Sequence, residues 1–472
     1  MRVLEILILI AVVPAMGVGR RSRWLRAFAV AALGLLLLHL GIEGYRWQMV
    51  PAYLLVVWSC ARGISSRDGA GAEPVWGRFI RLIAALAACA LTIVLAEGSP
   101  VFEAPPPSGS YLVGTSCLEL VDASREDSFA PTTHAPRELL VAAWYPAEPI
   151  PGAQPEAFWP DARVTGPEMA RLFHLPRFNL LGQLRLVKSH AYTGAAVARA
   201  KPRYLVLIFS HGYGGTPWQN TVQMEELASH GFIIFSVGHT YESMAIGFPD
   251  SRVAPMNRAG MEAAMKDRSN GTVVRERLGV WVADTRFVID AITEMDAGAR
   301  PPGKIFTGRL DLKRLGVFGM SFGGAAAGEF CASDARCRAG MNIDGFQSGS
   351  VRERPLSAPF LYFAHEGNTE NDPIYAASRG DLYGIQVRHS TYINFSDANL
   401  VLPILKWADI LGSIDAREME RILNAYTVEF FEKYLEGKPA RLLDGRVDQY
   451  PEVEFRARRA APVKGDWVKP RN

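Results

Sequence analysis

Apolar positions are spread unevenly along the chain. Four apolar runs, at 4–18, 27–42, 49–61 and 82–96, crowd its N-terminal part. Each is near or below the roughly 20 residues that a bilayer-spanning helix needs. Trp47, Tyr53, Trp58 and Trp76 flank them as candidate interfacial anchors. The pattern predicts an all-α membrane segment at 1–99 with three or four transmembrane helices. The first run lacks the basic start and small-residue cleavage site of a signal peptide.

Beyond position 99 the pattern changes. Residues 100–110 are Pro-rich and read as a stiff extended linker. From Tyr111 on, short apolar runs at 117–121, 139–145, 204–209, 232–237, 315–318, 339–343 and 360–363 read as strands. Several are apolar at every position, as strands buried on both faces are. Helical patterns such as 222–230 and 280–294 lie between them. Strands alternating with helices predict an α/β domain at 111–460, with a mostly parallel sheet and helices on both faces. Residues 461–472 read as a tail.

Charge adds an orientation. Arg20, Arg21, Arg23 and Arg26 lie between the first two apolar runs, and Arg62, Arg67, Arg78 and Arg81 between the last two. Only Arg46, opposed by Glu43, lies between the middle pair. The positive-inside rule places the Arg-rich loops in the cytoplasm. With four spans, everything after Glu97 then lies outside a bacterial inner membrane; with three, its side is left open. The net charge of +3 over 472 residues gives no reason to expect nucleic acid as a partner. Five cysteines form no C-x-x-C pair, so no metal site is expected. Cys331 and Cys337 are either a disulfide or two buried thiols.

The chemistry gathers where strands end, as it does in open α/β sheets. The run 315–318 leads into Gly319-Met320-Ser321-Phe322-Gly323-Gly324. This is a G-x-S-x-G turn between a strand and a helix, which presents a serine as nucleophile. The run 204–209 leads into Ser210-His211-Gly212-Tyr213-Gly214. The backbone amides of Tyr213 and Phe322 are the expected oxyanion hole, because acyl transfer builds an anion that needs two preorganised N–H donors. The run 339–343 ends in Asp344, the expected acid that orients a histidine.

These segments resemble the platelet-activating factor acetylhydrolase family, the plasma (isoform II) type and its bacterial predicted-lipase and dienelactone-hydrolase relatives, within the α/β-hydrolases. The resemblance is carried by Arg137-Glu138-Leu139-Leu140-Val141 with Trp144-Tyr145-Pro146, by the His211-Gly212 turn, by Leu227-Ala228-Ser229-His230-Gly231-Phe232, and by Asp311-Leu312 running into the elbow. Phe430-Phe431 with Tyr434-Leu435, followed by Leu442-Leu443-Asp444-Gly445, is similar to the C-terminal helix of bacterial members. It implies an α/β-hydrolase fold and cofactor-free, calcium-independent hydrolysis of short or oxidised acyl esters, with a lipid or small ester as substrate.

Two positions depart from the family. Met320 precedes the nucleophile where histidine is usual. More consequentially, the family places its catalytic histidine three residues before the phenylalanine of an Asn-Phe-[Ser/Thr/Ala]-Asp motif. In Asn394-Phe395-Ser396-Asp397 that position is Tyr392, and the nearest histidine is His389. A tyrosine ionises near pH 10 and is a poor base at neutrality. His389 is therefore the expected third member of a Ser321–His389–Asp344 triad, with His211, His230 and His239 better explained by the loop and helix ends they occupy. Two functions follow. One is a membrane-anchored serine esterase or lipase with its hydrolase domain outside the cytoplasm. The other is a catalytically impaired hydrolase-fold protein serving as a membrane-bound binding or assembly module.

Overall fold

The computed structural model describes residues 1–19, 22–65, 74–132, 134–172, 174, 179–267, 271–300, 303–445 and 447–460. Arg20, Arg21 and Arg67, part of the orientation argument, and the tail at 461–472 lie outside the described residues.

The four apolar runs fold as four packed helices, α1 (Val3–Gly17), α2 (Arg23–Leu38), α3 (Val50–Ile64) and α4 (Val75–Gly98). Ser22 caps α2 by accepting from the Trp24 amide at 3.3 Å, and Pro51 in the first turn of α3 gives up an N–H that has no partner there. With its continuation to Glu43, the second helix has 21 residues and α4 has 24, and both are long and apolar enough to cross a membrane. The 15 residues of α1 and of α3 rise only about 22 Å at 1.5 Å each, short of a 30 Å hydrocarbon core. Ile8, Val12, Met16, Leu36, Leu55 and several alanines are buried between the helices, while Val30, Leu37, Leu54, Val57, Ile80 and Leu91 point outward, so apolar groups lie both inside and outside.

One end of this helical unit is polar inside. Arg46 pairs with buried Glu5 at 2.9 Å and donates to the carbonyls of Ala96 at 2.9 Å and Ser99 at 2.8 Å. The last carbonyls of α4, which have no partner within the helix, are satisfied in this way. Residues 100–110 contain no helix or strand, yet they are not a free spacer. Phe102 meets Phe158 edge-on at 5.2 Å, Ala104 is buried, and the Ser108 amide donates to Glu226 at 2.8 Å.

The remainder is a mixed ten-stranded sheet with helices on both faces. Its strands are β1 (Leu112–Glu126), β2 (Pro136–Ala147), β3 (Ala191–Thr193), β4 (Tyr204–Ser210), β5 (Phe232–Gly238), β8 (Leu310–Met320), β9 (Cys337–Ile343), β10 (Phe360–His365), β11 (Leu382–Val387) and β12 (Val453–Arg458). The order is β12-β11-β10-β9-β8-β4-β5-β2-β1-β3; β6 (Ala245–Gly247) and β7 (Val253–Pro255) form a separate ribbon. The central run from β5 through β4, β8, β9 and β10 to β11 is parallel, flanked by antiparallel β2 and β12. Every residue of β4 and β5 is buried, because both faces are covered.

The helices of this part are α5 (Ala162–Leu172), α6 (Thr221–Ser229), α7 (Arg258–Asp267), α8 (Thr272–Asp296), α9 (Phe322–Ser333), the short α10 (Asp372–Ala376) and α11 (Ala398–Val401), and α12 (Ala416–Phe431). Met224 and Leu227 of α6 join Ile422, Tyr426 and Phe430 of α12 in the core on one face. Trp281 and Val288 of α8 join Phe322 and Phe330 of α9 on the other. Of the two alternatives for Cys331 and Cys337, the structure has the disulfide, which ties the end of α9 to the start of β9.

Candidate active site

The elbow is built by crowding. Met320 ends β8, Phe322 opens α9, and Ser321 between them has φ 55° and ψ −119°. A non-glycine residue held there costs on the order of 1–3 kcal/mol, so its surroundings must enforce it. They do. The Ser321 amide donates to the Ile343 carbonyl at 2.8 Å. A Cβ on Gly319 would lie 2.4 Å from the Gly323 carbonyl carbon, and one on Gly323 would lie 2.0 Å from the Ser210 carbonyl oxygen. The turn is tight enough that only glycine fits on either side.

Asp344 follows β9 at the same sheet edge, with φ 51° and its side chain buried. Its amide donates to the Phe363 carbonyl at 3.0 Å, fixing it beside the end of β10. Both carboxylate oxygens are occupied. One accepts from the His365 ring Nδ1 at 2.6 Å; the other accepts from the His365 amide at 3.2 Å and Asn368 Nδ2 at 2.8 Å. The hydrogen bond to Asp344 raises the His365 pKa above its ordinary 6.5, against the opposing effect of burial. With Nδ1 donating to the acid, Nε2 is left as the basic nitrogen. The His365 side chain is 34% exposed.

Tyr392 lies beside Ser321, and burial of its hydroxyl pushes its pKa up to about 12. It is therefore a neutral phenol at physiological pH. Its ring keeps 37% of its surface, on the wall of a cavity of about 450 Å³ that Gly212, Tyr213, Gln219 and Met320 also line.

The structure does not join His389 to this site. Two residues past the end of β11, His389 is exposed, with φ 62°. Its amide donates to Glu366 at 2.9 Å and its carbonyl accepts from Ile414 at 3.0 Å. The backbone is held by these two bonds with the side chain in solvent, and the acid it was expected to meet is already filled by His365. The expectation for His389 is corrected accordingly. His365 went unread although the run 360–363 was read as a strand. That strand continues two residues further, and the strand-end rule that located Asp344 locates His365 on the neighbouring strand.

Among the described residues, neither the Tyr213 nor the Phe322 amide donates to a protein acceptor. The Tyr213 ring packs on Trp281 at 6.2 Å and on the edge of Phe322 at 5.6 Å, and its hydroxyl accepts from Arg277 at 2.8 Å. Glu242 holds Arg277 at 2.6 Å and the Trp281 indole at 2.7 Å. These contacts fix the loop after β4 beside the elbow.

Behind the loop lies a second serine–histidine–aspartate chain. His239 meets Ser210 Oγ at 3.1 Å and Asp284 at 2.9 Å, and Arg137 pairs with Asp284 at 2.7 Å. All four side chains are buried, so no ester can reach Ser210. Burial also lowers the pKa values of both His239 and His211, and holds His211 down to about 3. The chain is a buried scaffold under the β4 and β5 ends, neutral histidines resting against the Asp284–Arg137 ion pair. Elsewhere, donor atoms of Glu5, His39 and Glu43 fall within 4.8 Å of one another. Arg46 and Arg2 already occupy the Glu5 carboxylate, and His39 is spent on Glu43 at 2.9 Å and Tyr53 at 2.6 Å.

Comparison with known proteins places the chain in a family. The family model described as platelet-activating factor acetylhydrolase, isoform II, matches residues 101–441. A probable 1-alkyl-2-acetylglycerophosphocholine esterase of Arthroderma benhamiae is 26% identical over 393 residues, covering 75% of this chain and 94% of that protein. The platelet-activating factor acetylhydrolase of Cavia porcellus is 26% identical over 255 residues, 49% of this chain and 58% of its own. Among solved structures, a ferulic acid esterase from Streptomyces cinnamoneus superimposes with a TM-score of 0.61 at 29% identity, covering 75% of this chain and 99% of that one. An esterase neighbour of this kind agrees with the α/β-hydrolase arrangement expected for the sheet. With the family match spanning well over half its length, the chain belongs to the platelet-activating factor acetylhydrolase isoform II family and is a carboxylic ester hydrolase.

Proposed function

We propose that this protein is a membrane-anchored serine ester hydrolase of the α/β-hydrolase type, acting on acyl esters of lipids, in which Ser321, His365 and Asp344 form the catalytic set. The observation that carries the reading is the 2.6 Å pairing of His365 with Asp344 at the sheet edge that presents Ser321. Ser321 Oγ attacks the ester carbonyl and its proton passes to His365 Nε2. Asp344 holds the tautomer and stabilises the imidazolium. The amides of Tyr213 and Phe322 receive the oxyanion. The carbonyl re-forms as the C–O bond to the alcohol breaks, the alcohol leaves with the proton from His365, and water then releases the acid from Ser321 by the reverse sequence. Tyr392, kept neutral by burial, holds Ser321 in place and takes no proton. Anchoring is supported by two helices of membrane-spanning length and by the large apolar side chains they turn outward.

A second reading, a binding module on the same scaffold, is favoured by Tyr392 standing where a base usually meets the serine. A fluorophosphonate probe separates the two, because it reacts only with an activated serine. The parent protein is expected to be labelled, and Ser321→Ala to lose both labelling and hydrolysis of p-nitrophenyl acetate. Absence of labelling in folded parent protein would establish the binding module instead.

A further inference from the structure

The cavity beside the elbow, lined by Met320 next to Ser321 and by Tyr213 and Tyr392, does not stop at the sheet domain. It runs from Tyr213, Met320 and Tyr392 to Trp47, Leu95 and Gly98 of the helical unit. We propose that the helical unit is a wall of the substrate site: the apolar chain of the ester lies along the end of α4 and against Trp47. This rests on the serine-hydrolase reading and adds to it the class of substrate, an ester with an extended acyl or alkyl chain.

Three observations carry it. First, the walls are complementary and apolar. Leu95 and Trp47 line the cavity together with Leu402, Ile404 and Leu405. Second, the wall is fixed. A Cβ on Gly98 would lie 2.8 Å from Ile404 Cβ, so α4 closes directly on the segment 403–408. The Trp47 indole donates to the Leu180 carbonyl at 3.1 Å, and Gln48 donates to Gln183 at 3.0 Å. A free anchor would need neither bond. Third, the next residues on the sheet-domain side carry bare apolar groups: Trp407 is 71% exposed, and Ile410 is also exposed. Tryptophan is the residue enriched at bilayer interfaces. These groups set the cavity beside the lipid surface, where long-chain esters are found.

The test uses the full chain in phospholipid nanodiscs and compares kcat/KM for p-nitrophenyl decanoate and acetate. Leu95→Trp, which fills the cavity, is expected to lower the decanoate-to-acetate ratio by at least about tenfold, the scale on which apolar pockets discriminate by size. Leu86→Trp, on the outward face of α4, should leave the ratio as it is. Leu95→Ala, a milder change, should raise the laurate-to-decanoate ratio. An unchanged ratio in both Leu95 variants overturns the inference. Thermal stabilisation by decanoate supplies a readout without turnover: it is expected in the parent and lost in Leu95→Trp. No stabilisation of the parent overturns the inference, whatever the catalysis. Stabilisation of a parent that the fluorophosphonate does not label overturns the serine-hydrolase reading and leaves the apolar site standing.

Discussion

Tyr392 and His365 divide between them two contacts that one histidine makes in a Ser–His–Asp site. Tyr392 meets the serine and His365 meets the acid. If His365 is the base, His365→Ala should lower kcat by about 10⁴ or more, the scale for losing a triad member. His389→Ala should be nearly silent, since its side chain is in solvent. The pH profile is a stricter check. Only neutral imidazole accepts the serine proton, and the Asp344 hydrogen bond raises the His365 pKa above 6.5. The rising limb of kcat/KM should therefore have its midpoint above pH 6.5, and Asp344→Asn should move it down while cutting the rate. A midpoint unmoved by Asp344→Asn would detach His365 from the reaction. The same raised pKa gives the pair its stabilising effect below pH 6.5, lost as pH rises through the folded value. Ser321 and Asp344 were legible because each ends a strongly apolar run in a turn. The histidine that pairs with Asp344 was not, since motif spacing pointed to 392 and proximity in sequence to 389, while His365 lies one strand away in space.

At the scale of elements, α12 carries a charge problem. Burial pushes the Glu420 carboxyl up to about 8, and Asp397, just before α11, is raised by burial and then by Glu420. The folded protein thus holds protons that the unfolded chain releases near the ordinary 4.5. This stability is fully present below pH 4.5 and is lost as pH rises through 8. Asp161, buried and also raised to about 8, acts in the same direction. The melting temperature should fall by several degrees between pH 6 and 9, and Glu420→Gln should flatten that fall. A slope as steep in Glu420→Gln as in the parent would clear this pair. The runs that became β4, β5 and β9 were readable because burial on both faces leaves them apolar throughout. β12 was not: in Val-Glu-Phe-Arg-Ala-Arg at the sheet edge only Val453 is buried, and an edge strand needs little apolar surface. β11 hides a glycine and a glutamine in a six-residue run.

For the whole molecule, the proposed anchoring raises the question of which side of a membrane would hold the sheet. The Arg-rich loops argue for the outside, and the Cys331–Cys337 disulfide fits an oxidising compartment. A reporter active only in the periplasm, fused after Ser99, is expected to be active; activity of a cytoplasm-only reporter at that point would reverse the orientation. The sequence announced four apolar runs but not their unequal reach, because hydropathy does not show where a helix ends. It was equally silent on the join between the two parts, where Trp47, Gln48 and Gly98 look unremarkable until Leu180, Gln183 and Ile404 fold against them.

That join bears on how such a chain changes over generations. Trp47, Leu95 and Gly98 share a cavity with Met320 and Tyr392. Under the proposed anchoring, a mutation that lets α4 suit a thicker or thinner bilayer would also reshape the space beside Ser321, more than two hundred residues downstream. The outward face of α4 would then be free to drift with the lipid around it. The inward face carries a second constraint, which couples α4 to the sheet-domain walls it shares a cavity with.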